Sequence, residues 1–180
     1  KPNAKIDFTK ADVEDVFNYI VNQHNNLEQI SQIETNEDGE QEEVEYYQSK
    51  SGIKERITSF LKHVSKNIYA NVDKSQKAEL IRQSKMQKGT EVHKTIEAIV
   101  KRFIDPVTGL LKTTADPRPE NLGIEKEVYN YLEYYTQQRI QSYPVGTRFL
   151  SETRVVWEEQ GLAGTLDFIA ISPTKAGGFT

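Results

Sequence analysis

The spacing of hydrophobic positions changes period along this chain, and the change divides it. In "DFTKADVEDVFNYIVNQHNNLEQI", residues 7 to 30, Val13, Phe17, Ile20 and Val21 recur at helical spacing behind a Thr9 N-cap and acidic first turns, which predicts a helix. "SGIKERITSFLKHVSKNIYANV", residues 51 to 72, predicts a second, with Ile53, Ile57, Phe60, Leu61 and Val64 on one side. A third is expected from near Ser75 to Ile104, with Gly89 as a point of interruption and Val92, Ile96, Ile99 and Phe103 as its buried stripe. Residues 105 to 123, rich in proline, glycine and aspartate, read as a loop. A fourth helix, about 124 to 142, is expected to turn Val128, Tyr131, Leu132 and Tyr135 inward before "YPVGT" ends it.

Beyond that break the period falls toward two. "RFLSETRVVWEE" and "LAGTLDFIAIS" are β-rich and flank Gln160–Gly161, a hairpin signal. "PTKAGGFT" reads as a further turn leading into a third strand. Helices first and strands afterwards predict an α+β protein: N-terminal helices, then a β-hairpin and an unfinished mixed sheet, because an isolated hairpin is marginal in water. Between the first two helices, "ETNEDGEQEEVE" (residues 34–45) offers little to bury and is expected to be a solvated linker. The predicted organisation is therefore residues 1–46, a helix plus acidic linker, and 47–180, the main domain.

Charge sharpens this division. Residues 1–46 hold three lysines against twelve acids, whereas 47–180 hold twenty basic against fifteen acidic residues. The larger part is mildly basic and permits phosphate binding, while the acidic N-terminal region is a candidate surface for a protein partner. The chain has no cysteine, so disulfides and thiolate zinc sites are excluded, and any metal must rest on carboxylates, imidazole and carbonyls. No apolar run approaches bilayer length, so no membrane partner is expected and a cytoplasmic location is the default. A start at Lys1 rather than Met suggests processing or a longer parent.

Two groups of residues carry candidate chemistry. His93 and Glu97 lie one helical turn apart beside the buried stripe, either as an edge histidine with a solvated glutamate or as one wall of a metal site. Asp167 falls mid-strand among apolar neighbours, where a carboxylate is costly unless paired, protonated, bound to a cation or turned to solvent. Gly164, three residues earlier, removes side-chain bulk beside a neighbouring backbone or ligand. Glu152 lies on the partner strand, as a cross-strand partner for Arg154 or Lys175, as a solvated edge residue, or as a member of the same site.

"GTEVHKTIE" followed by "SETRVVWEEQGLAGTLDFIAI" resembles the PD-(D/E)XK nuclease superfamily, in the branch similar to the RecB nuclease domain and the CRISPR-adaptation exonucleases. Gly89 and His93 match its helical element, Glu152 its glutamate strand, and Gly164 with Asp167 its aspartate strand; the likeness spans about residues 76 to 171. It implies a restriction-endonuclease-like core and Mg2+- or Mn2+-dependent hydrolysis of nucleic acid, DNA ahead of RNA, in phage or bacterial recombination or repair, in a cytoplasm or a virion. Asp167, His93 and Glu152 would be catalytic, with His93 and Asp167 as metal ligands and Glu97 behind His93. Lys88, Lys94, Lys101 and Arg102 would meet backbone phosphates. The closing (D/E)-x-K is missing, because no acid follows Asp167. That absence favours a nuclease domain continuing past Thr180, inactive as these residues alone, over an inactive nuclease-like scaffold or interaction module.

Overall fold

A computed structural model describes residues 5–65, 75–120 and 123–180, with the side chains of 62–65 left aside. The protein is α+β: helices combine with a five-stranded mixed sheet. Helix α1 (Val13–Asn25) leads into strands β1 (Glu28–Thr35), β2 (Gln41–Ser49) and β3 (Gly52–Arg56), then helix α2 (Ile57–Ser65). Helices α3 (Gln76–Phe103) and α4 (Lys126–Gln141) follow, and strands β4 (Arg148–Trp157) and β5 (Leu162–Ile171) come last. The strand order is β1-β2-β3-β5-β4. β1, β2 and β3 form an antiparallel meander, and β3 pairs with β5 in parallel. Among the described residues, no helix is long and apolar enough to cross a membrane.

The expected acidic linker is instead a hairpin, and the expected boundary after residue 46 falls inside β2. Its turn is built by Asn36, whose Oδ1 accepts from the N–H groups of Asp38 (3.0 Å) and Glu40 (2.9 Å). Gly39 takes φ +80°, a conformation glycine enters without a Cβ clash. What this hairpin buries is Tyr47, 1% exposed, whose hydroxyl shares a 2.7 Å hydrogen bond with Thr165 Oγ1. One aromatic anchor and a satisfied polar tip replace the missing aliphatic residues. The predicted second helix is also revised: residues 52–56 pair as β3, and α2 begins only at Ile57. Residues 66–72 of that expected helix, and the Val64 side chain, lie outside the described residues.

The chain forms two compact units. One comprises residues 18–71 and 153–166 and buries Leu27, Tyr47 and Ala163, with Val156 packed beside them. Gly164 makes room for a side chain rather than for the backbone or ligand expected: a Cβ there would lie 3.2 Å from Ile57 Cδ1. The other comprises residues 1–17, 72–152 and 167–180, with Val100, Ile104, Ile140 and Phe149 at its core and Tyr143 and Ala170 against them. A tight turn seals this core at Gly109, φ +71°, where a Cβ would sit 2.4 Å from the Phe17 ring. The closing turn pairs Ser172 with Thr180 through two backbone hydrogen bonds of 2.8 and 2.9 Å.

The long helices settle with different faces inward than expected. α3 runs through Gly89 unbroken and buries Thr95, Ile99 and Val100, leaving Ile96 37% exposed. α4 buries Tyr129, Glu133, Thr136 and Ile140, while Val128, Tyr131 and Tyr135 face out and Leu132 is half-buried. A buried carboxylate decides that rotation. Glu133 pairs with both Arg102 and Arg118, and Arg102 also donates to the Tyr129 hydroxyl (3.0 Å) and the Asp116 carbonyl (2.8 Å). Burial alone would lower the Arg102 pKa, but the Glu133 and Tyr129 hydrogen bonds outweigh it and raise it.

Candidate metal centre

The buried stripe of α3 orients the residues beside it. With Thr95, Ile99 and Val100 fixed in the core, His93 and Glu97 stand at the rim one turn apart. β4 delivers Glu152 to the same place. His93 Nε2 and Glu152 Oε1 are 2.9 Å apart, a hydrogen-bonded pair. One ligand atom each from His93, Glu97 and Glu152 lie within 4.8 Å of one another, close enough to share a cation. β5 adds Asp167, whose Oδ2 is 3.8 Å from the second ring nitrogen, His93 Nδ1.

Glu152 is held by a strained backbone. Its φ of +48° is the only positive value at a non-glycine among the described residues, and it occurs inside a strand. The left-handed region costs a residue with a Cβ on the order of 1–2 kcal/mol, and such strain concentrates at functional sites. Here it coincides with the carboxylate that meets His93.

The four groups line one side of a pocket of about 310 Å³, with Ile96, Val100, Tyr135 and Phe168 supplying apolar lining and Arg139 a positive charge. Exposure grades across it: the Glu97 side chain is 24% exposed, Glu152 30%, His93 43% and Asp167 72%. Asp167 therefore avoids the burial cost by facing solvent at the pocket mouth.

The remaining expected site residues divide. Lys88 and Lys94 are exposed on α3, whereas Lys101 pairs with Glu97 one turn away. Arg102 is turned inward onto Glu133, its side chain 12% exposed, so it is not placed to meet a phosphate. A Cβ at Gly89 would meet nothing within 4 Å, so packing does not demand that glycine. Lys175 sits in the closing turn, where Thr174 N–H donates to the Gly178 carbonyl (3.0 Å), and Arg154 is bonded to His24 rather than to Glu152.

Glu97 stands nearer the shared point than the sequence suggested, where its place was behind His93. Tyr135 and Arg139 line the pocket without being candidates from the sequence. Their only sequence signal is position: both lie on the side of α4 next to its buried residues, at i and i+4. Compared with family models, curated proteins and solved structures, the chain matches none.

Proposed function

We propose that His93, Glu97 and Glu152, with Asp167 beside them, hold Mg2+ or Mn2+, and that the site serves metal-dependent hydrolysis of phosphodiester bonds in DNA, as in the PD-(D/E)XK nucleases the sequence resembles. The observation that carries this reading is the convergence of one imidazole and two carboxylates from α3 and a strained point of β4, with a third carboxylate at the other ring nitrogen. Hard carboxylate oxygens with one imidazole nitrogen suit those ions, and three carboxylates supply the anionic charge a divalent ion needs. When bound, the cation supplies charge that polarises a phosphoryl oxygen and acidifies a bound water.

The chain's own residues have separable roles. His93, hydrogen-bonded to Glu152, is fixed in ring orientation before a ligand arrives. Asp167, mostly exposed, is the carboxylate open to an incoming phosphodiester. Lys88 and Lys94 offer mobile positive charge along the same helix, and Arg139 offers it from the pocket wall. No acid-x-lysine pair follows Asp167 in these 180 residues, so no lysine is assigned to the attacking water.

The test is DNA binding with and without Mn2+, read by anisotropy of a labelled oligonucleotide. Mn2+ should tighten binding by the parent, and His93→Ala and Asp167→Asn should remove that response. A parent whose DNA affinity ignores Mn2+ would sink the proposal. A second reading, an interaction module on a nuclease-like scaffold, is favoured by the exposed acidic hairpin of β1 and β2, with Ile33 73% exposed. It predicts Mn2+ binding with no change in DNA affinity.

A further inference from the structure

The rotation of α4 that buries Glu133 leaves an unusual outer face. Tyr131, Tyr134 and Tyr135 are 68%, 67% and 63% exposed, three large rings within two turns. None makes a side-chain hydrogen bond or ring contact among the described residues. Burying aromatics is normally worth more than burying most other side chains, so a cluster turned to solvent calls for an occupant.

Two features identify that occupant. The first is continuity. Tyr131, Tyr135 and Arg139 succeed one another at i, i+4 and i+8, and the last two line the pocket that contains His93, Glu97 and Glu152. The row runs from open solvent to the candidate cation site on one helix. The second is charge. Glu127, exposed one turn before Tyr131, is the acid at the outer end of the row; from Tyr131 to Arg139 the only acid is Glu133, which is buried and doubly paired, so that stretch exposes tyrosine, glutamine and Arg139 without a negative charge. Such a face accepts a polyanion with flat, apolar bases.

Spacing then selects the form of that polyanion. Side chains at i and i+4 are about 5–6 Å apart. Bases stacked in a duplex are separated by about 3.4 Å along each strand and present only their edges to a protein. Bases lying on successive tyrosines must be unstacked from each other, which a single strand allows and a duplex does not.

We infer that the Tyr131–Tyr135–Arg139 face of α4 is a stacking track for single-stranded DNA that leads the strand into the His93–Glu97–Glu152 site. This rests on the proposed nuclease reading and specifies its substrate. Tyr131 and Tyr135 hold bases by their ring faces, and Arg139 meets the backbone or the last base at the pocket.

The test uses the whole chain in EDTA, so that the cation site plays no part. Anisotropy is measured with labelled oligo-dT, the RNA equivalent and a blunt hairpin duplex, for the parent, for Tyr131→Ala/Tyr135→Ala and for Tyr131→Phe/Tyr135→Phe. Oligo-dT should bind the parent more tightly than the duplex does. The alanine pair should lose about tenfold or more per ring, and the phenylalanine pair, which keeps the stacking faces, should bind within about threefold of the parent. Equal binding by parent and alanine pair, tighter binding of duplex or RNA, or a parent that binds no oligonucleotide would each overturn the track. A missing Mn2+ response with the alanine and phenylalanine pattern intact counts against the cation site and leaves the track standing.

Discussion

The backbone of Glu152 supports a prediction whose sign is opposite to the usual one. In an ordinary strand, replacing a residue by glycine is less favourable than replacing it by alanine by roughly 0.5–1 kcal/mol, because glycine has more freedom to lose on folding. At φ +48° alanine retains a Cβ in the left-handed region and carries about 1–2 kcal/mol of strain that glycine escapes. The second effect exceeds the first, so Glu152→Gly should be more stable than Glu152→Ala by roughly 0.5–1 kcal/mol. Both variants lose the carboxylate and its 2.9 Å bond to His93, so that loss cancels in the comparison. For a chain of this length the difference corresponds to a melting temperature about 1–4 °C higher for the glycine variant. Urea unfolding in EDTA, followed by circular dichroism and analysed with a common m-value, measures it. Alanine as stable as glycine, or more so, would refute the claim that this position is strained.

Two further predictions concern the rest of the protein. Glu133→Ala should strand the Arg102 guanidinium, 12% exposed, without its carboxylate and lower stability by about 3–5 kcal/mol, seen as a large drop in denaturant midpoint; a loss under about 1 kcal/mol would mean the pair contributes little. His24 accepts at Nδ1 from the Arg154 backbone N–H (2.9 Å), and burial, helped by the Arg154 charge, lowers its pKa. The folded state therefore binds this proton less readily than the unfolded state, so its stability is fully present above the ordinary value of 6.5 and declines as pH falls through the window below it. Comparing unfolding free energies at several pH values, the parent should lose more stability on acidification than His24→Gln; parallel profiles would contradict this.

How far the sequence reveals this fold depends on where its signals are local. α3, α4, β4 and β5 follow from apolar spacing within a few residues of the positions expected, whereas the first expected helix is shortened to Val13–Asn25, capped by Asp12 rather than Thr9, and its last residues, 28–30, enter β1. The β1–β2 hairpin does not, because counting hydrophobic residues misses a segment anchored by Tyr47 alone. "NEDG" carried the information in another form, since Asn and Gly at that spacing build the turn whatever the acids around them do. The inward face of α4 is hidden from the hydrophobic pattern for a related reason: tyrosines outrank glutamate in hydrophobicity. Only Arg102, 31 residues away, and Arg118, 15 away, make Glu133 the better residue to bury.

The candidate site divides the same way. His93 and Glu97 share a face by helix geometry alone, and the hairpin signal places Glu152 and Asp167 in adjacent strands. That Glu152, rather than Asp167, meets His93 most closely depends on one left-handed residue in β4, which no propensity foretells. Arg102 illustrates the converse, a cation at the right sequence position whose side chain is held by the core.

His93, Glu97 and Glu152 are proposed to share one divalent cation. Isothermal titration of Mn2+ into the EDTA-stripped, desalted protein tests it most directly, with Glu97→Gln and Glu152→Gln titrated alongside. The parent should show one saturable site, weakened at least tenfold in each variant, with both variants folded by circular dichroism. Heats of binding in either variant that superimpose on those of the parent would contradict it.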